Sequence, residues 1–82
     1  MTRIEIDLNV RVGADLTYSG FDEVDGDPAL LRVGDTVEVF EPECRAFGTG
    51  EITEIDSAKE LIFIRVPWKS LHIPVEKVAL DV

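Results

Sequence analysis

The last two-thirds of this chain is a string of short runs in which apolar and polar residues alternate, each broken by Gly, Pro or Asp. Alternation with a period of two sends successive side chains to opposite faces of an extended backbone, and it does not fit the 3.6-residue period of a helix. Val37 and Val39 face one way, Thr36, Glu38 and Phe40 face the other, and Pro42 ends the run. Leu61-Ile62-Phe63-Ile64-Arg65-Val66 is the most apolar segment and reads as a central strand. Asp56-Ser57-Ala58-Lys59 before it has the chemistry of a hairpin connection. The glycines of Gly48-Thr49-Gly50 predict a bulge or sharp bend where the preceding strand begins. Short connections between about five to six strands predict an all-β fold closed into a small barrel, which hides the edges of its own sheet.

The first third is extended as well. Ile4, Ile6, Leu8, Val10 and Val12 alternate with Glu5, Asp7, Asn9 and Arg11, and Gly13 ends the run. This predicts an N-terminal strand over residues 3–12, in excess of what the barrel from residue 14 onward requires. A surplus strand pairs with an open edge of its own chain or of a second copy. The same chain is favoured, so the expected state is a monomer, with a homodimer through residues 3–12 as the alternative. Leu16, Tyr18 and Phe21 form a second short run, followed by the acidic loop Asp22-Glu23-Val24-Asp25-Gly26-Asp27 and the breaker Pro28. A loop holding Cys44 is expected over 41–47, and a short strand at Leu71-His72-Ile73. The organisation expected is one domain, 1–82, with 1–13 as the N-terminal strand and 14–82 as the barrel.

Eighty-two residues bury only about 60–65% of their unfolded surface, which leaves little room for a deep pocket. Seventeen acidic against eight basic residues give a net charge of −9. A field of that sign repels phosphate backbones and anionic membrane surfaces; it suits a basic protein partner, or simple solubility. A single cysteine forms no internal disulfide, which points to a reducing, cytoplasmic setting. The first residues alternate charge and apolarity unlike a signal peptide, and no run approaches the roughly 18 apolar residues of a membrane span.

Taken in order, Ala14-Asp15-Leu16-Thr17-Tyr18, the acidic excursion at 22–27, Leu31-x-x-Gly34-Asp35-x-Val37-x-Val39, the bent hairpin and Ile73-Pro74-Val75-Glu76-Lys77-Val78 resemble a Src-homology-3-like barrel over about residues 14–80. Residues 47–56, from Phe47-Gly48-Thr49-Gly50 to Asp56, are similar to its KOW and Tudor-like branch. The resemblance implies a short 3-10 turn near residues 75–77 before a final strand at Val78-Ala79-Leu80. For peptide-binding members it implies a groove, with Tyr18 as the first-strand aromatic, Asp22, Glu23, Asp25 and Asp27 as the acidic loop, and Pro74 as the proline of the turn. Lys77 stands where the groove has a tyrosine, and the paired strand tryptophans are missing. The aromatic walls of polyproline recognition are therefore incomplete, and a basic ligand held by the acidic loop is the form of binding that survives. Other barrels of this kind are accessory subunits of larger enzymes. Residues 33–43 resemble the opening strand and loop of the small ferredoxin-docking ones, whose positive face is opposite in sign to this chain.

No residue set reaches the standard of a catalytic or metal signature, and no cofactor is expected. Cys44 and His72 are the one thiol and the one imidazole; Arg45 adjoins the thiol on one side and Glu41 and Glu43 precede it on the other, with no third group identifiable to orient a catalytic pair. Asp22, Asp25, Gly26 and Asp27 lack the spacing of a calcium loop, and Gly48-Thr49-Gly50 lacks the lysine and helix of a phosphate cradle. Trp68, between Pro67 and Lys69, either caps an open end of the barrel or anchors an interface; sharing an outer face with Phe40 and Phe47, it would complete a partner-binding patch. The expected function is a non-enzymatic, acidic protein-interaction or accessory module that binds a basic protein partner through Asp22, Glu23, Asp25 and Asp27 with Tyr18 and Trp68. The alternatives are a scaffolding or regulatory subunit of a larger enzyme and, against the charge, an RNA-associated KOW- or Tudor-like domain.

Overall fold

The computed structural model describes residues 1–73. Six strands form a single sheet: β1 (Arg3–Glu5), β2 (Leu16–Gly20), β3 (Val24–Asp25), β4 (Thr36–Glu41), β5 (Ala46–Asp56) and β6 (Leu61–Arg65). The only helical pieces among the described residues are 3-10 turns at Phe21–Glu23, Pro28–Leu30 and Trp68–Ser70. The sheet order is β2-β6-β5-β4-β1-β3. β2 and β3 thus stand at opposite ends of the order, yet only the Phe21–Glu23 turn separates them along the chain. The sheet must curl until its two edges approach each other, and the result is an all-β half-barrel. The turn expected near residues 75–77 and the strand expected at 78–80 lie outside the described residues.

The inward positions of the strands build one core. Ile4 on β1, Val37 and Val39 on β4, Ile52 on β5 and Ile62 and Ile64 on β6 are all fully buried, and Ile6, Leu31 and Val66 complete the cluster. Burial of each such side chain stabilises the fold by about 1.5–3 kcal/mol. β6 runs between β2 and β5, the central place its apolar sequence predicts. Ile52 and Ile55 are three residues apart, so a regular strand would turn one of them outward. A bulge at Thr53 removes the conflict: Ile52 pairs with Ile64, Glu54 with Phe63 and Ile55 with Ile62. The bulge expected at Gly48 and Gly50 therefore lies further along, and the two glycines occupy a regular ladder opposite Val39 and Val37. Gly50 is needed for close approach, since a Cβ there would lie 2.7 Å from the buried Ile64 Cγ2, whereas one on Gly48 would crowd only the end of the Leu71 side chain, at 2.8 Å from Cδ2.

The N-terminal strand is much shorter than the alternation over 3–12 predicts. β1 ends at Glu5, with one further bond from the Ile6 amide to the Phe40 carbonyl. Asp7 then accepts from the Asn9 amide at 2.9 Å, and the Val10 amide donates to the Asp7 carbonyl, which folds the backbone into a turn. β1 inserts into the sheet of its own chain, parallel to β4 and antiparallel to β3.

β2 departs from expectation in a second way. Its buried side chains are Thr17 and Ser19, while Tyr18 faces solvent. The Thr17 hydroxyl donates to the Val10 carbonyl, and the Ser19 hydroxyl donates to the Glu5 carbonyl at 2.7 Å. These bonds join β2 to the returning N-terminal segment and close the seam of the half-barrel with side chains where a ladder is absent.

Many of the acidic residues hold turns. Asp7, Glu23, Asp27, Asp35, Glu41 and Asp56 each accept from a backbone amide two or three residues away. The expected loop at 41–47 is shorter, because β4 runs to Glu41 and β5 starts at Ala46. The strand expected at residues 71–73 is a single bridge in which Phe47 and His72 exchange backbone hydrogen bonds of 2.9 and 2.7 Å.

Candidate functional site

The inner face of the sheet is filled, so binding chemistry has to come from its outer face. Residues paired directly across strands share a face. One outer row runs Asp25, Arg3, Glu38 and Thr49 across β3, β1, β4 and β5. The next row runs Glu5, Phe40 and Phe47, and the His72 ring lies 4.7 Å from that of Phe47. Between them Arg3, Glu38, Val39, Phe40, Phe47 and Gly48 line a cleft of about 180 Å³.

Arg3 is the cation of this cleft. Its Nε lies 3.6 Å from Glu38 Oε1, and its guanidinium carbon lies 5.8 Å from the centroid of the Phe40 ring. Arg3 and Glu38 side chains are 56% and 49% exposed, which limits the pair to less than about 1 kcal/mol. Phe47 is 49% exposed and forms the open wall. A second cleft of about 270 Å³ lies along Thr36, Thr49, Glu51, Arg65 and Pro67, where Arg65 and Glu51 pair at 3.8 Å. Further across the face Tyr18 packs against Phe63, with ring centroids 5.8 Å apart. Both clefts are smaller than the roughly 300 Å³ at which small-molecule pockets begin, and their size suits single side chains of a partner.

The residues singled out from the sequence fall into separate places. Asp25 is part of β3 and joins the Arg3 row. Glu23 accepts from the Gly20 amide at 3.0 Å, and Asp27 accepts from the Ala29 amide to cap the Pro28–Leu30 turn. Asp22 sits in the Phe21–Glu23 turn directly after β2, the strand that carries Tyr18. Trp68 is separate from Phe40 and Phe47: its side chain packs half-buried against the core. Its Nε1–H donates to the Ala14 carbonyl at 3.0 Å, and the Arg11 guanidinium lies 4.7 Å from its ring centroid. Trp68 thus ties the 7–15 segment to the end of β6. Trp68→Phe keeps an aromatic ring, a smaller one, and removes the donor, so it is expected to cost at least about 1 kcal/mol, seen as a lower denaturant midpoint by circular dichroism. An unchanged midpoint would show that the tie is idle.

Arg3 and Glu38 were not legible as site residues, because the parallel pairing of β1 with β4 that brings them together spans the chain. Among the described residues, no three His, Cys, Asp or Glu side chains gather as a metal site requires, and no helix is long and apolar enough to cross a membrane. Comparison with protein-family models, with curated proteins and with solved structures returns no match.

Proposed function

We propose that this chain is a non-enzymatic protein-interaction module, a small barrel of Src-homology-3-like kind, whose outer sheet face receives a basic segment of a partner protein. The observation that supports it most is the cleft at Phe40 and Phe47, an aromatic wall bordered by Glu5, Asp25 and Glu38 on a chain of net charge −9. Aromatic surface anchors an interface by desolvation, while the surrounding carboxylates select and steer a cationic partner. Asp25 brings the acidic loop into the same surface, and Asp22, Glu23 and Asp27 beside it in sequence add to the negative field.

The test is titration of the full chain with a short lysine- and arginine-rich peptide at rising salt. Affinity is expected to fall steeply with ionic strength. Phe47→Ala is expected to weaken binding about tenfold, the loss that 1.4 kcal/mol of lost anchoring produces. Binding that ignores Phe47→Ala, or retention of single-stranded RNA at physiological salt in preference to the peptide, would overturn this function.

A further inference from the structure

We propose that Glu38 and the Phe40 ring, on the wall of the Phe40–Phe47 cleft, form an arginine site engaged at rest by the chain's own Arg3, and that the partner delivers an arginine that competes for them. This rests on the outer-face function above and names the side chain recognised there. Arg3 stands in register between Asp25 on β3 and Glu38 on β4, and Glu5 follows on the same face of its own strand. Register thus places three carboxylates on the outer face about Arg3, of which Glu38 pairs with it, and the patch keeps a net charge of −2 (3 acidic minus 1 basic). Glu38 and the Phe40 ring already hold a guanidinium, one by charge and the other through its π face.

Arginine fits better than lysine on two grounds. Its planar group stacks on an aromatic ring, and its fork of donors matches a carboxylate, whereas an ammonium is a more strongly hydrated point charge. The Arg3 contact is open to water on both partners, so a second guanidinium can replace it. The cleft at Glu51 and Arg65 offers the charge without an aromatic wall and lacks the stacking half of the recognition.

The experiment titrates the full chain with oligo-arginine and oligo-lysine peptides of equal length. Oligo-arginine is expected to bind at least about fivefold tighter. Arg3→Ala frees Glu38 and the Phe40 ring and is expected to raise oligo-arginine affinity several-fold. Lys59→Ala makes the same change of net charge in the β5–β6 turn and is expected to have a smaller effect. Glu38→Gln supplies an arm independent of β1 and is expected to abolish the preference for arginine. Equal affinity for the two peptides, or an Arg3→Ala gain no larger than that of Lys59→Ala, would overturn the arginine site. If such equal binding still falls on Phe47→Ala, the outer-face function stands without it; if neither peptide binds, both are lost.

Discussion

Gly50→Val is expected to destabilise the fold by about 3 kcal/mol, and Gly50→Ala by about 2 kcal/mol, because the side chain enters a core already at full density. A Cβ at this position meets Ile64 Cγ2 at 2.7 Å, the Arg65 carbonyl oxygen at 3.0 Å and Val66 Cγ2 at 3.1 Å. Ile64 and Val66 are fully buried and have no solvent to swing into, and the carbonyl belongs to the backbone at the end of β6. The better strand propensity of valine returns at most about 1 kcal/mol. Against a total stability of about 4–12 kcal/mol for 82 residues, this is a large fraction. Gly48 is the internal comparison. The contact nearest to its Cβ is the end of the Leu71 side chain, which is only partly buried, so Gly48→Ala is expected to cost less than about 1 kcal/mol. Urea midpoints of the three variants decide the matter; a Gly50→Ala midpoint equal to that of the unaltered chain would show that β5 and β6 are not packed so closely.

The parts of the fold that depend on neighbouring residues were legible in the sequence. Val37, Val39, Ile62 and Ile64 announce β4 and β6 by alternation, and Asp56 to Lys59 announce the turn before β6, where Asp56 accepts from the Lys59 amide. Alternation reports which face of the chain is buried, and does not report whether the backbone is paired. Burial therefore alternates through Ile4, Ile6, Leu8 and Val10 although the ladder stops at Glu5, and Val12 ends up half exposed. The bulge at Thr53 was written in the three-residue spacing of Ile52 and Ile55, a subtler signal than the nearby glycines. The candidate site depended on register between β1, β3 and β4, which is set by contacts far apart in sequence. Asp25 and the phenylalanines were visible as candidates, but the residues that give the cleft its charge, Arg3 and Glu38, were not.

Thr17 and Ser19 were hidden for the opposite reason, since hydroxyl side chains on a short strand suggest a solvent face. Replacing them together, as Thr17→Val with Ser19→Ala, is expected to cost about 1–3 kcal/mol, on the scale of two hydrogen bonds of about 0.5–1.5 kcal/mol each. Thr17→Val preserves shape, so the loss reports the hydroxyl and leaves packing nearly constant. Each removal takes a donor from a backbone carbonyl, Val10 in one case and Glu5 in the other. Both bonds serve one seam, and the double variant is expected to cost less than the sum of the single ones, because the first loss already loosens the segment that the second bond holds. Hydrogen exchange locates the effect. The Ile6 and Val12 amides, bonded to the Phe40 and Leu16 carbonyls, are expected to lose protection well before the β4–β5 ladder does. Equal loss along all strands would mean that the seam is no weaker than the sheet. Early loss at Ile6 would also reach the binding face, since β1 positions Arg3 beside Glu38, and a barrel opened at its seam would no longer hold that row in register.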